Sequence, residues 1–114
     1  MKYFIVAGEA SGDLHGANLV KALFLQDPQA QIVCFGGEKM QKAGAELLVH
    51  YKEMAVMGLW EVITSLQKIR AFLNFAQKEI VNFKPDAVIF IDFAGFNLRL
   101  AKFVHRRNFR TFYY

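Results

Sequence analysis

Three polar side chains crowd into the stretch Val6-Ala7-Gly8-Glu9-Ala10-Ser11-Gly12-Asp13-Leu14-His15-Gly16-Ala17: Glu9, Ser11 and Asp13. A carboxylate there can orient or deprotonate a hydroxyl, and His15 can shuttle a proton. Gly8 and Gly12 let the backbone turn sharply and let a ligand approach it closely. The stretch lacks the Gly-Lys-Ser/Thr ending of a P-loop and the G-x-G-x-x-G of a dinucleotide site. Glu9 would also repel a diphosphate. The loop therefore suits hydroxyls, or a single phosphate held by Ser11 and the backbone N–H groups of a helix start. The plainer role is a strand–helix turn in which Ser11 or Asp13 caps the helix that follows. For Asp13, a cap or structural hydrogen bond outweighs a catalytic role. For His15, a satisfied polar residue competes with the shuttle.

A second constellation lies at Asp92-Phe93-Ala94-Gly95-Phe96-Asn97, directly after the apolar run Ala87–Ile91. That run would desolvate Asp92 and raise its pKa, which suits a general base. A helix is expected from about Leu98, with Asn97 as its cap. Asn97 also lies where substrate oxygens can reach it. His15, His50 and His105 are scattered without ligand spacing, so no metal site is expected. No serine–histidine nucleophile arrangement is present either. The single cysteine, Cys34, excludes an internal disulfide and sits in an apolar run, as a buried inert thiol would.

The elements that must position these residues alternate. Strand patterns cover Tyr3–Ala7, Gln31–Phe35, Glu46–His50, Ala87–Ile91 and Arg110–Tyr114. Helix patterns cover about Asp13–Gln26, Glu38–Ala43, Leu59–Phe83 and Leu98–Arg107. Asp27-Pro28 stops the first helix. Gly44 suits the end of the second. Tyr51–Gly58 reads as a connector. In the long helix, Leu59, Val62, Ile63, Leu66, Ile69, Leu73, Ala76 and Ile80 share one arc at ~100° per residue, the side expected to face a sheet. Such alternation implies an α/β, Rossmann-like parallel sheet of five strands with helices on both faces. Right-handed crossovers make 3-2-1-4-5 the natural strand order. The Gly8–Asp13 and Asp92–Asn97 loops then open side by side at the topological switch point, where open α/β sheets bind ligands.

The chain has 114 residues, 54% of them hydrophobic, enough for one domain with a full core. No run approaches the ~18 apolar residues of a membrane span. The Met-Lys start lacks a signal-peptide layout, so a cytoplasmic setting is expected. The net charge of +4, much of it from Arg99, Lys102, Arg106, Arg107 and Arg110, favours anionic partners. No stacking platform or recognition helix is present, so nucleic acid is not expected as a partner. The last residues form an apolar strand with no helix to cover it, which suggests a fragment of a larger protein.

Five segments in order resemble the lipid-A-disaccharide synthase family: Val6–Asp13; Gly36-Gly37-Glu38-Lys39-Met40 with Gly44; Met54-Ala55-Val56-Met57-Gly58-Leu59-Trp60-Glu61-Val62; Lys84-Pro85-Asp86; and Ile91-Asp92 with Phe96-Asn97. The resemblance spans essentially the whole chain. It implies the acceptor-side, N-terminal half of a GT-B glycosyltransferase, whose nucleotide-binding half would follow Tyr114 through a segment with a proline and Trp-Ala-Trp. It implies transfer of 2,3-diacylglucosamine from its UDP derivative to 2,3-diacylglucosamine 1-phosphate (lipid X), inverting and independent of metal or cofactor. The fragment alone would be inactive. The same resemblance places the protein on the cytoplasmic face of a Gram-negative inner membrane, with a homodimer of the full-length protein among the expectations.

Gly8, Glu9, Ser11, Gly12, Asp13, His15 and Asn97 then become candidate substrate contacts, and Asp92 the candidate catalytic base. Many family members carry a proline and an aspartate where Ala94 and Gly95 stand here. This loop loses rigidity and a second carboxylate, so acid–base work falls on Asp92. Trp60, Thr64, Lys68, Ala71, Phe75 and Lys78 share a second face of the long helix. Aromatics among lysines suit a membrane surface, and Met57, Trp60 and Phe75 are the candidate membrane or acyl-chain contacts. Packing on a partner domain explains the same pattern. Two other functions fit the alternation alone: a non-catalytic flavodoxin-like module for a phosphorylated ligand, and another UDP-sugar enzyme such as an epimerase. Neither accounts for the ordered segments.

Overall fold

A computed structural model of the chain describes residues 1–53, 65–91 and 94–114, with backbone alone for 65–69 and 94–98. Five strands, β1 (Lys2–Ala7), β2 (Gln31–Gly36), β3 (Glu46–His50), β4 (Ala87–Ile91) and β5 (Arg110–Tyr113), form one sheet. Its order is β3-β2-β1-β4-β5, with every described pairing parallel. The described helices are α1 (Ala10–Gln26), α2 (Glu38–Lys42), α3 (Ser65–Phe83) and α4 (Ala94–Arg106). The expected strand order and class hold. The physical reason is the one read from sequence: parallel neighbours need crossovers, and the helices supply them.

The pleat sorts the core into two layers. Phe4 and Val6 of β1, Val33 and Phe35 of β2, and Val88 and Phe90 of β4 face α3 and α4, meeting Phe72, Ala76, Ile80, Leu100 and Val104. The alternate residues Ile5, Ala7, Ile32, Cys34, Ile89 and Ile91 face α1 and α2, meeting Ala17, Val20 and Met40. All of β4 is buried, as its unbroken apolar run requires when both sheet faces are covered. Phe4 and Phe35 pack edge to face, with centroids 5.2 Å apart. Each such aromatic contributes roughly 1.5–3 kcal/mol by burial.

Several helix boundaries differ from expectation. α1 starts at Ala10 rather than near Asp13, and its N-cap position is Glu9, with no side-chain cap. Neither Ser11 nor Asp13 caps it, because both already lie inside its first turns. α4 starts at Ala94 rather than Leu98. Asn97 is therefore a first-turn residue and not a cap. Ala94 and Gly95, where many family members carry a proline and an aspartate, have helical backbone at the start of α4. Residues 51–53 are helical where a connector was expected. The expected helix start at Leu59 and its first turn lie outside the described residues.

Phe75, expected to face away from the core, is 40% exposed yet stacks on Phe35, with centroids 6.1 Å apart at 14°. Its neighbour Phe72, absent from the expected arc, is buried against the same ring at 5.5 Å. Gly44 ends α2 as expected. Its φ of 119° lies in the region that favours glycine, and its N–H donates to the Gln41 carbonyl.

Candidate functional site

β1 and β4 pair in register, with Ala7 beside Ile91. The chain thus leaves both strands at the same carboxyl edge of the sheet. Gly8 and Gly12 are buried, whereas Glu9, Ala10, Ser11, Leu14 and His15 are exposed. Gly12 lets α1 settle close to β1, since a Cβ there would lie 3.2 Å from the Ala7 Cβ. The motif therefore divides cleanly. Its glycines and Asp13 face the sheet, and its remaining polar groups face solvent over the edge. Ser11 Oγ donates to Glu9 Oε1 at 3.2 Å. The first-turn N–H groups of α1 receive no side-chain cap, and such a helix start attracts anions or hydroxyl oxygens.

Asp13 holds a different position. It is 1% exposed. Its Oδ1 accepts from the Gly37 and Met40 N–H groups, each at 3.0 Å, and its Oδ2 accepts from the Lys39 N–H at 3.1 Å. The carboxylate thus caps α2, a helix that begins 25 residues further on, where the positive end of a helix stabilises a negative charge. Gly37 makes room for it: a Cβ at Gly37 would sit 2.5 Å from Asp13 Oδ2 and 2.6 Å from Tyr51. Asp13 thereby ties the Val6–Asp13 segment to the Gly36–Met40 segment. Below it, Cys34 is fully buried. Burial, aided by the Asp13 charge, pushes its thiol up to about 12, so it stays protonated and unreactive. Beside α2, His50 Nε2 and Glu38 Oε2 lie 2.6 Å apart, and this hydrogen bond holds the Glu38 carboxyl below its ordinary range.

The edge gains one residue that sequence reasoning did not single out. The Tyr114 ring lies 6.3 Å from the His15 ring, tilted at 49°. The Tyr114 N–H donates to the Phe90 carbonyl at 2.9 Å, so the residue is fixed just past β5 while its side chain stays largely open. The available signal was its position at the carboxyl end of the strand beside β4. Glu9, Ser11, His15 and Tyr114 form the described polar and aromatic rim. Asp92, Met57 and Trp60 lie outside the described residues. Asn97 has its backbone in the first turn of α4, and its side chain also lies outside them. Among the described residues no three His, Cys, Asp or Glu side chains gather in a metal-binding group, and no helix is long and apolar enough to cross a membrane.

A five-stranded parallel sheet of this order, with a glycine-bearing turn and an exposed polar rim at its carboxyl edge, defines a Rossmann-like α/β unit, whose carboxyl edge is where such sheets place their ligands. Its fold is shared with the crystal structure of UDP-GlcNAc 2-epimerase from Neisseria meningitidis bound to UDP-GlcNAc. The TM-score is 0.65 over 99% of this chain and 32% of that one, at 11% identity, a likeness of fold alone. The model of the lipid-A-disaccharide synthetase family matches residues 3–114, and the chain belongs to that family. It is 45% identical over 114 residues to the lipid-A-disaccharide synthase of Geobacter sulfurreducens, which covers 99% of this chain and 29% of that protein. Against the synthase of Trichlorobacter lovleyi it is 42% identical over 113 residues, or 99% of this chain and 30% of that protein. Against that of Coxiella burnetii it is 36% identical over 110 residues, or 96% and 29%. The chain thus spans about 30% of the length of these curated relatives.

Proposed function

We propose that this chain is the acceptor-side unit of a lipid-A-disaccharide synthase. The reaction joins the 2,3-diacylglucosamine group of its UDP derivative to lipid X. The acceptor's primary hydroxyl attacks the anomeric carbon, and a bond forms between that oxygen and that carbon. The anomeric carbon–oxygen bond to UDP breaks, and UDP departs with the electron pair. The hydroxyl proton passes to a base, for which Asp92, one residue beyond the buried end of β4, is the candidate. Inversion at the anomeric carbon follows from this single displacement. The observation that carries the proposal is the match of the family over residues 3–114, laid on a sheet whose β1 and β4 end together.

Glu9, Ser11 and His15 are suited to acceptor hydroxyls, and the uncapped start of α1 to the acceptor's phosphate. Glu9 disfavours a diphosphate at this edge, so the UDP group is assigned to a part of the protein outside this chain. Asp13 contributes through the α2 cap rather than through its own reach. Acyl chains on both substrates make a contact with the cytoplasmic face of the inner membrane part of the proposal, through Met57, Trp60 and Phe75. A homodimer of the longer protein belongs to the same proposal.

The experiment is an Asp92→Asn exchange in a protein that joins this chain to the remainder of the transferase. UDP release should fall by about 10²–10⁴-fold, the usual contribution of general acid–base catalysis, with little change in acceptor KM. An unchanged rate would remove Asp92 as the base.

A further inference from the structure

A groove of about 400 Å³ opens between α3 and α4. Both helices end where the chain turns back into β4 and β5, so the groove lies toward the amino edge of the sheet. That is the end opposite the Glu9–Tyr114 rim. Its lining includes Asn74, Gln77, Lys78 and Asn82 of α3, with Phe103 in the last turn of α4 and Arg107 just beyond it. Two cationic and three amide residues line it together with Val81 and Phe103, and no Asp or Glu is among them. Among the described residues neither Lys78 nor Arg107 belongs to an ion pair. The Arg107 guanidinium lies 5.2 Å from the Phe103 ring centre, which steadies it along the groove wall.

Helix carboxyl ends repel anions, and two of them lie near this groove. Several of their terminal carbonyls are already engaged. Ile80 O accepts from the Lys84 N–H at 3.0 Å, Phe83 O from Lys2 Nζ at 3.2 Å, and Val104 O from the Phe109 N–H at 3.2 Å. Lys2 also adds a positive charge at that end. The residual field is therefore small against two full cations. The volume lies within the ~300–1,000 Å³ of small-molecule sites.

We propose that this groove binds a phosphate-bearing anion. Lys78 and Arg107 take the phosphate, and the amides of Asn74, Gln77 and Asn82 take hydroxyl oxygens on the group attached to it. The ligand is either a free phosphomonoester or the phosphate of a lipid headgroup. The site shares no residue with the rim at the other edge and so does not depend on the acceptor assignment; Lys78 also shares a helix face with Phe75, and the soluble arm of the test separates the groove from the proposed membrane surface.

The test titrates the chain with glycerol 3-phosphate and follows the side-chain amide resonances of Asn74, Gln77 and Asn82. In parallel, the chain is sedimented with phosphatidylglycerol and with phosphatidylcholine vesicles. A Lys78→Glu, Arg107→Glu double variant is compared with Lys21→Glu, Lys42→Glu, which makes the same charge change at exposed positions on the opposite face. Saturable shifts are expected, with affinity reduced at least about tenfold in the groove variant, as for loss of charge-assisted contacts, and unchanged in the control. Saturable shifts together with loss of phosphatidylglycerol sedimentation in the groove variant alone would identify a headgroup. Soluble binding with vesicle sedimentation unaffected by the groove variant would identify a free phosphomonoester. Absence of saturable shifts would overturn the proposal whatever the vesicles show, and so would equal weakening in the control variant.

Discussion

Asp13 is the residue on which two family segments meet. Its carboxylate is buried and shares three backbone N–H donors of the α2 start. Asparagine at this site would turn an amide N–H₂ toward one of those donors and leave at least one N–H unsatisfied. Asp13→Asn should therefore destabilise the chain by about 2–3 kcal/mol, the cost of losing a charged acceptor from buried donors. Thermal unfolding at neutral pH checks this, and an unchanged midpoint would mean that the cap contributes nothing. The residue type was legible in the sequence, and so was a structural role for it. Its partner was not. Spacing arguments look one helix turn ahead, and the donors at Gly37, Lys39 and Met40 lie more than 20 positions away. Tyr114 was missed for a related reason. Nothing in the local pattern at 110–114 announces a neighbour at His15, and only closure of the sheet brings the two rings together.

Among the elements, α2 depends on the space that Gly37 leaves. Gly37 has an ordinary extended φ of −146°, so packing rather than backbone strain selects glycine there. A Cβ would press on the Asp13 carboxylate, which three backbone N–H groups hold in place, and on the Tyr51 ring. Gly37→Ala should cost about 1–3 kcal/mol, as overpacking does, and should weaken amide-exchange protection at Lys39 and Met40 more than in β4. Uniform loss of protection would point to a general defect instead. The strands were legible almost to the residue, because their apolar runs end on glycine, proline or charge. Helix starts were less so. Ser11, Gly12 and Gly95 are poorer helix formers than alanine, yet all three lie within α1 or α4, and Gly12 lets α1 settle against β1. In α3 the arc through Leu73, Ala76 and Ile80 was readable, while the turn of Phe72 and Phe75 toward the Phe35 ring depends on a contact between distant segments.

At the scale of the whole molecule, topology was legible because parallel strands, helical connections and right-handed crossovers leave few alternatives. The joint carboxyl edge of β1 and β4, where the candidate site was expected, was legible as a place, whereas the contacts made there were not. The proposed membrane surface belongs to this scale too. Trp60→Ser should weaken binding of the chain to anionic vesicles about tenfold or more, read by sedimentation, since burial of an aromatic side chain contributes roughly 1.5–3 kcal/mol. Equal sedimentation would remove Trp60 from that surface. Phe75 is a poorer probe, because its ring also rests on Phe35.

The acceptor-side assignment has a direct measurement. Backbone amides of residues 8–15 are followed while the chain is titrated separately with glucosamine 1-phosphate, the soluble head of the acceptor, and with UDP. Glucosamine 1-phosphate should produce saturable shifts at Glu9, Ser11 and His15, and UDP should leave them unmoved. Shifts from UDP at these residues, with none from glucosamine 1-phosphate, would place the nucleotide on this edge and contradict the assignment.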